Sequence, residues 1–309
     1  MLGLLVASTL AAAAASVPIT APGPEGPLAG TLVDAGAKTP VVLIIPGSGP
    51  TDRDGNNPVG VTAASYRLLA DALAAQGVSS VRIDKRGMFG SKAAIADPNK
   101  VTIGDYAKDV HSWVRAIAAR TGAHCVWVLG HSEGSLVALA AGQQPQGICG
   151  VISVSGAGRR LSDVIREQLR ANPANAPFLD SAMKALDQLD RGEQVDVATM
   201  HPALQRLFAP QVQDFLIDDL RYDPASLATA LKLPLLIVQG ERDLQVSVAD
   251  AKRLSAAQPR ARLVLLPAMN HVLKDVASDD RAANFATYSD ASLAVDPGLV
   301  AAIAGFVKR

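Results

Sequence analysis

Neither sign of charge is in excess in this sequence of 309 residues, where 29 Lys and Arg balance 29 Asp and Glu. No Lys/Arg block or basic stripe with interleaved aromatics is present, so the electrostatic footprint of a nucleic-acid binder is missing and no nucleic-acid partner is expected. Aromatic residues make up only 4%, which points to helices packed through small side chains and is silent on chemistry. Cys, His and carboxylates nowhere fall at metal-ligand spacing, so no metal is expected. No apolar run is long enough for a membrane span. The chain is nevertheless long enough to bury a full core, in one large α/β domain or two small ones.

The apolar start, Met1–Ala15, carries no charged side chain and ends in an Ala run before Ser16-Val17-Pro18. That is the length and small-residue finish of a secretory signal segment, although no Lys or Arg precedes it. The expectation is export without stable membrane insertion once the leader is removed; an N-terminal strand is the plainer alternative. Two cysteines, Cys125 and Cys149, each stand at the start of an apolar run that reads as a strand. If those strands are parallel neighbours, both cysteines lie at one sheet edge, where a disulfide is geometrically possible; two buried thiols are the alternative.

Short β-rich runs alternate with helical periodicity along the chain. Leu28–Val33, Val41–Ile45, Val78–Ile83, Val126–Leu129, Ile148–Val154, Leu235–Gln239 and Arg262–Leu266 read as strands. Tyr66–Ala75, Ile103–Ala119, Val248–Ala257 and Leu299–Val307 read as helices. Strands separated by helices imply a mostly parallel sheet covered on both faces. The alternation stops between Leu161 and Leu231, where helical stretches are broken by Pro173, Pro177, Pro202, Pro210 and Pro224. The expected organisation is a core of residues 16–158 and 232–309 with a helical cap, residues 159–231, over the strand C-termini. The cap's apolar residues (Leu161, Val164, Ile165, Phe178, Leu179, Phe208, Phe215 and Leu216) either line a pocket or pack within the cap.

Chemistry gathers around Gly130-His131-Ser132-Glu133-Gly134. A strand before it, a helix after it and a Gly-x-Ser-x-Gly pattern between them make a nucleophile elbow, with the Ser132 hydroxyl pushed out at the strand end. A serine needs an adjacent base, oriented by a carboxylate, and in this arrangement both follow the serine in the chain. Among His111, His124, His131, His201 and His271, only His271 follows Ser132 and lies just past a sheet strand. Asp243 follows Leu235–Gln239 in a loop at the same sheet end, with Glu241 and Asp250 as rivals. The tetrahedral oxyanion needs two N–H donors. The Glu133 amide is one, and the loop Pro46–Pro50 supplies the other at Ser48, with Gly49 as the alternative.

These segments resemble the α/β-hydrolases, and more narrowly bacterial exported serine esterases that carry Pro-Gly-Ser-Gly-Pro-Thr-Asp-Arg-Asp-Gly, here Pro46–Gly55. Asp84–Gly87, Gln239–Val246 and Met269–Lys274 also match. The resemblance implies an α/β-hydrolase fold with a helical cap. It also implies Ser132 as nucleophile, Asp243 as orienting acid and His271 as base, a small-molecule ester as substrate, and no cofactor. It departs at Met88-Phe89, a bulkier pair than similar proteins carry, which would narrow the pocket mouth. Asp52, Arg53, Asp54, Lys85 and Arg86 read as a charged network holding the oxyanion loop. Glu133 either tunes His271 or serves through its amide alone. A thioesterase, lactonase or peptide amidase would use the same residues, and a non-catalytic binding protein would be missing one of them. A dinucleotide-binding reading fails, because Gly47-Ser48-Gly49 lacks the third glycine and runs into Pro50.

Overall fold

A computed structural model describes residues 15–309, so the leader, apart from Ala15, lies outside the described residues. Eight strands form one sheet: β1 (Ala15–Pro22), β2 (Pro27–Asp34), β3 (Val41–Ile45), β4 (Ser79–Ile83), β5 (Val126–His131), β6 (Ile148–Val154), β7 (Leu235–Gly240) and β8 (Arg262–Leu266). Their order across the sheet is β1-β2-β4-β3-β5-β6-β7-β8; the β1–β2 and β2–β4 pairings are antiparallel and the other five are parallel. The strand β1 was not among the sequence expectations. Its small residues and Pro18 carry little strand signal, and pairing with β2 along its whole length holds it in place.

Helices lie on both faces because the central strands alternate two apolar sets. Val41, Leu43 and Ile45 join Val128, Val151 and Ile237 in one core. That core also takes in α2 (Ile103–Thr121), α3 (Glu133–Ala141) and α9 (Val248–Ala257). Val42, Ile44, Leu129, Ile152, Leu236 and Val238 face the other side, against α1 (Ser65–Ala75) and α11 (Pro297–Val307). The helix α2 begins with a capping box, in which the Thr102 hydroxyl accepts from the Asp105 amide and the Asp105 carboxylate accepts from the Thr102 amide. A disulfide joins Cys125 to Cys149 where β5 and β6 start side by side.

Between β6 and β7 the chain is helical: α4 (Leu161–Ala171), α5 (Leu179–Asp190), α6 (Pro202–Leu207), α7 (Pro210–Asp219) and α8 (Pro224–Ala230). Each of the prolines at 202, 210 and 224 opens a helix, where its missing N–H costs nothing. Leu186, Leu189, Leu204, Phe208 and Ile217 bury one another in a cluster separate from the two sheet cores. A short helix, α10 (Arg281–Ala286), completes the segment after β8. Among the described residues no helix is long and apolar enough to cross a membrane.

Candidate active site

The strand β5 turns into α3 through Ser132, whose backbone sits at φ 55° and ψ −122°, outside the regions L-residues favour. Both flanking glycines are required by close approach. A Cβ at Gly130 would stand 1.9 Å from the Gly134 carbonyl oxygen, and one at Gly134 would stand 2.5 Å from that of Ile45. The turn is held by the Ser132 amide, which donates to the Val154 carbonyl at 3.0 Å. It leaves Ser132 at the N-terminus of α3, where the helix dipole favours negative charge.

The loop after β7 carries Asp243, whose side chain has no exposed surface. Its Oδ1 accepts from the Gln245 and Val246 amides at 2.8 and 2.9 Å. Its Oδ2 accepts from Gln239 Nε2 at 3.2 Å and lies 2.8 Å from His271 Nδ1. Burial pushes this carboxyl up, but His271 and the two amides outweigh burial and hold it below the usual carboxylate range. Of the rivals, Asp250 pairs with Arg159 at 2.9 Å, and Glu241 is exposed. His201 caps α6, accepting from the Ala203 amide at 3.2 Å, and takes no part.

The loop after β3 closes over Ser132 so tightly that a Cβ at Gly47 would lie 3.2 Å from Ser132 Cβ. The Gly47 peptide is pinned on both sides: its N–H donates to Tyr66 Oη at 3.1 Å, and its carbonyl accepts from Lys85 Nζ at 2.7 Å. Lys85, 3% exposed, also reaches Glu133 Oε1 at 2.8 Å. Burial pulls the Lys85 ammonium down, but Glu133 more than compensates, so it stays charged. The Glu133 carboxylate is therefore spoken for by Lys85. Among the described residues the Ser48 and Glu133 amides have no hydrogen-bond acceptor, and both residues border the same cavity as Ser132.

Of the charged residues expected to hold this loop, Asp52, Arg53, Asp54 and Lys85 do so by hydrogen bonding and Arg86 does not. Asp52 Oδ1 accepts from the Asp54 and Asn56 amides, each at 2.8 Å. Arg53 pairs with Asp84, Arg82 pairs with Asp54, and Arg86 pairs with Asp109 at 2.6 Å on α2. None of these borders the cavities beside Ser132. Neither do Met88 and Phe89, which corrects the expectation of a narrowed mouth: Met88 is half-buried elsewhere, and Phe89 is 42% exposed.

Two residues were missed by sequence reasoning. His131, one of the histidines set aside there, is buried between Tyr66 Oη, 2.8 Å from Nδ1, and the His271 carbonyl, 2.9 Å from Nε2. Burial and the neighbouring His271 pull its pKa down to about 3. The His271 carbonyl can only accept, so the proton of the neutral His131 ring sits on Nε2 and Nδ1 accepts from the Tyr66 phenol. His131 Nε2–H then donates to the His271 carbonyl, and one chain of hydrogen bonds joins the Gly47 loop to the His271 loop. The second residue is Asp219, the last residue of α7, which borders the cavity beside Ser132.

Two cavities flank Ser132. The one beneath the cap, about 190 Å³, has apolar walls of Leu136, Leu161, Val164 and Val246. The other, about 130 Å³, is bounded by the polar side chains of Thr51, Asn57, Tyr66, His271 and Tyr288, among others. Of the cap residues singled out in the sequence, only Leu161 and Val164 line a cavity beside Ser132. Phe208 lies in the cap cluster, Ile165, Phe178 and Leu216 pack against it, and Phe215 packs edge-on against Tyr106. Among the described residues no group of His, Cys, Asp and Glu side chains is arranged to hold a metal ion.

Residues 59–274 match the family described as "Serine aminopeptidase, S33". The sequence is 28% identical over 244 residues to Esterase EstD of Thermotoga maritima, a match covering 76% of this chain and 54% of that protein. The chain thus spans about half the length of this curated relative. Similar folds include the α/β hydrolase GrgF from Penicillium sp. sh18, with a TM-score of 0.59 at 18% identity over 83% of this chain and 91% of that one. The Pyrococcus furiosus esterase Pf2001 has a TM-score of 0.53 at 18% identity, covering 84% and 85% of the two chains. A thermophilic esterase from Thermogutta terrifontis has a TM-score of 0.53 at 18% identity, covering 84% and 92%. With its parallel sheet, elbow and family match, the chain has the α/β-hydrolase fold and belongs to the serine aminopeptidase S33 family.

Proposed function

We propose that this protein hydrolyses small carboxylic esters through an acyl-enzyme. Ser132 Oγ attacks the ester carbonyl carbon while His271 Nε2 takes the hydroxyl proton. Asp243, bonded to Nδ1, fixes the tautomer and stabilises the imidazolium that forms. The carbonyl π electrons move to oxygen, and the oxyanion is met by the Ser48 and Glu133 amides. Collapse of the tetrahedral species expels the alkoxide, which leaves as the alcohol with the proton from His271. Water, deprotonated by His271, then attacks the acyl-enzyme, and its collapse returns the carboxylic acid and free Ser132.

The observation that carries this reading is the 2.8 Å contact between His271 Nδ1 and Asp243, made at the sheet end where Ser132 is held in its strained turn. The cavity beneath the cap supports a short acyl group, being smaller than the ~300–1,000 Å³ typical of drug-sized ligand sites. The name of the curated relative, an esterase, points the same way. Export remains part of the proposal, supported by the Cys125–Cys149 disulfide, since such bridges persist in oxidising compartments.

The test is turnover of nitrophenyl esters from acetyl to long chains, with aminoacyl nitroanilides alongside because the family description names an aminopeptidase. Preference for short acyl esters, lost in Ser132→Ala, is expected. Cleavage of the anilides alone would replace the ester reading with an amide one.

A further inference from the structure

The cavity beneath the cap contains a carboxyl that the ester chemistry described above does not use. Asp219 is only 3% exposed, yet it borders this cavity together with Ser132, Leu136, Val164 and Val246. Its backbone carbonyl accepts from the Tyr222 amide. Its carboxyl, by contrast, has no hydrogen-bond partner among the described residues. The neighbouring Asp218 differs, since its carboxylate accepts from the Ile103 amide at 2.8 Å and ties α7 to the start of α2.

A buried carboxyl without a partner is costly, and native proteins supply one as a rule. Among the described residues the one cation acting on it is Lys85, which is already committed to Glu133 and to the Gly47 carbonyl. Arg159, on the cavity wall, is likewise taken by Asp250 and Glu167. Burial, with Glu133 and Asp218 nearby, pushes the Asp219 carboxyl well above its ordinary value. An apolar acyl chain filling this cavity would leave the carboxyl dry and unpaired. A chain carrying a hydrogen-bond donor would satisfy it.

We propose that Asp219 is a specificity-determining residue, and that the cavity beneath the cap selects esters whose acyl chain bears a hydrogen-bond donor, either a hydroxyl or an ammonium group. This rests on the ester-hydrolase reading and adds the chemical class of the acyl group. The apolar walls grip the methylenes, Ser132 takes the carbonyl, and Asp219 receives the donor.

The experiment compares nitrophenyl esters of butyric and hexanoic acids with the same chains bearing a hydroxyl or an ammonium group. Wild type, Asp219→Asn and Asp219→Leu are assayed. Wild type should favour at least one donor-bearing ester over its apolar counterpart in kcat/KM by about tenfold or more, the ratio one charge-assisted hydrogen bond supplies. In Asp219→Leu that ratio should fall to near one or invert. A hydroxyl preference retained by Asp219→Asn identifies a neutral partner, and an ammonium preference abolished by Asp219→Asn identifies a cationic one. Thermal melting separates recognition from scaffolding: Asp219→Leu should melt at or above wild type, because it removes an unpaired buried carboxyl. Turnover of every ester without donor preference, or a large fall in melting temperature in Asp219→Leu, overturns the proposal and leaves the ester chemistry standing. Turnover of none of the esters refutes the ester reading and this inference with it.

Discussion

Removing one oxygen atom, in Tyr66→Phe, should loosen both loops that serve Ser132. The phenol oxygen accepts from the Gly47 amide at 3.1 Å and contacts His131 Nδ1 at 2.8 Å, in a side chain only 3% exposed. Phenylalanine fills nearly the same volume, so packing is kept while a buried donor and a buried acceptor lose their partner. At about 1–3 kcal/mol for each of the two unsatisfied groups, the loss should be about 2–6 kcal/mol. In a chain of this length that lowers the melting temperature by about 4–10 °C. The Gly47 carbonyl remains tied to Lys85, so the loop should shift without unfolding. Accordingly kcat for a short ester should fall about tenfold with KM nearly constant, less than the ~10²–10³ lost when an oxyanion donor is deleted. Melting followed by circular dichroism and steady-state kinetics check both numbers. A variant that melts within about one degree of wild type and keeps its kcat would show that this chain of hydrogen bonds holds nothing.

Three further outcomes follow from the same geometry. His131 stays neutral in the fold down to about pH 3, while in the unfolded chain it takes up a proton near 6.5. The stability it contributes is therefore complete above 6.5 and is lost as pH falls toward 3, at about 1.4 kcal/mol per pH unit. Urea unfolding at several pH values across that window should give a flatter acid slope for His131→Asn than for wild type, and equal slopes would count against it. Asp243→Asn removes the carboxylate that orients His271 and should lower kcat for ester cleavage by about 10⁴-fold, with the melting temperature the accompanying control. The double replacement Cys125→Ser, Cys149→Ser opens a bridge spanning 24 residues and should cost about 3 kcal/mol, read as a lower urea midpoint.

The legible parts of the molecule are those whose signal is local. Val41–Ile45 reads as a buried strand because all five residues are apolar and prolines bound it, and the elbow reads from one pentapeptide between a strand and a helix. Chain order picked out Asp243 and His271, and the fold brings them into contact. Where the deciding contact is distant in sequence, the signal is absent. Tyr66 resembles any aromatic on a helix facing the core, and only folding carries its hydroxyl to His131, 65 residues away. Asp219 follows Asp218 at a helix end, where paired acids ordinarily meet solvent, and only the docking of α7 against α2 turns one of them inward. The strand β1 was hidden for another reason: its stability comes from pairing with β2 and not from its own composition.

The central claim is that Ser132 forms the covalent acyl-enzyme, and trapping with a fluorophosphonate ester followed by intact-mass and peptide mass spectrometry tests it most directly. The account predicts one phosphonyl group per chain, on the peptide containing Ser132, with ester turnover lost in step with labelling and no labelling of Ser132→Ala. Labelling at another residue, or undiminished ester turnover by Ser132→Ala, would contradict it.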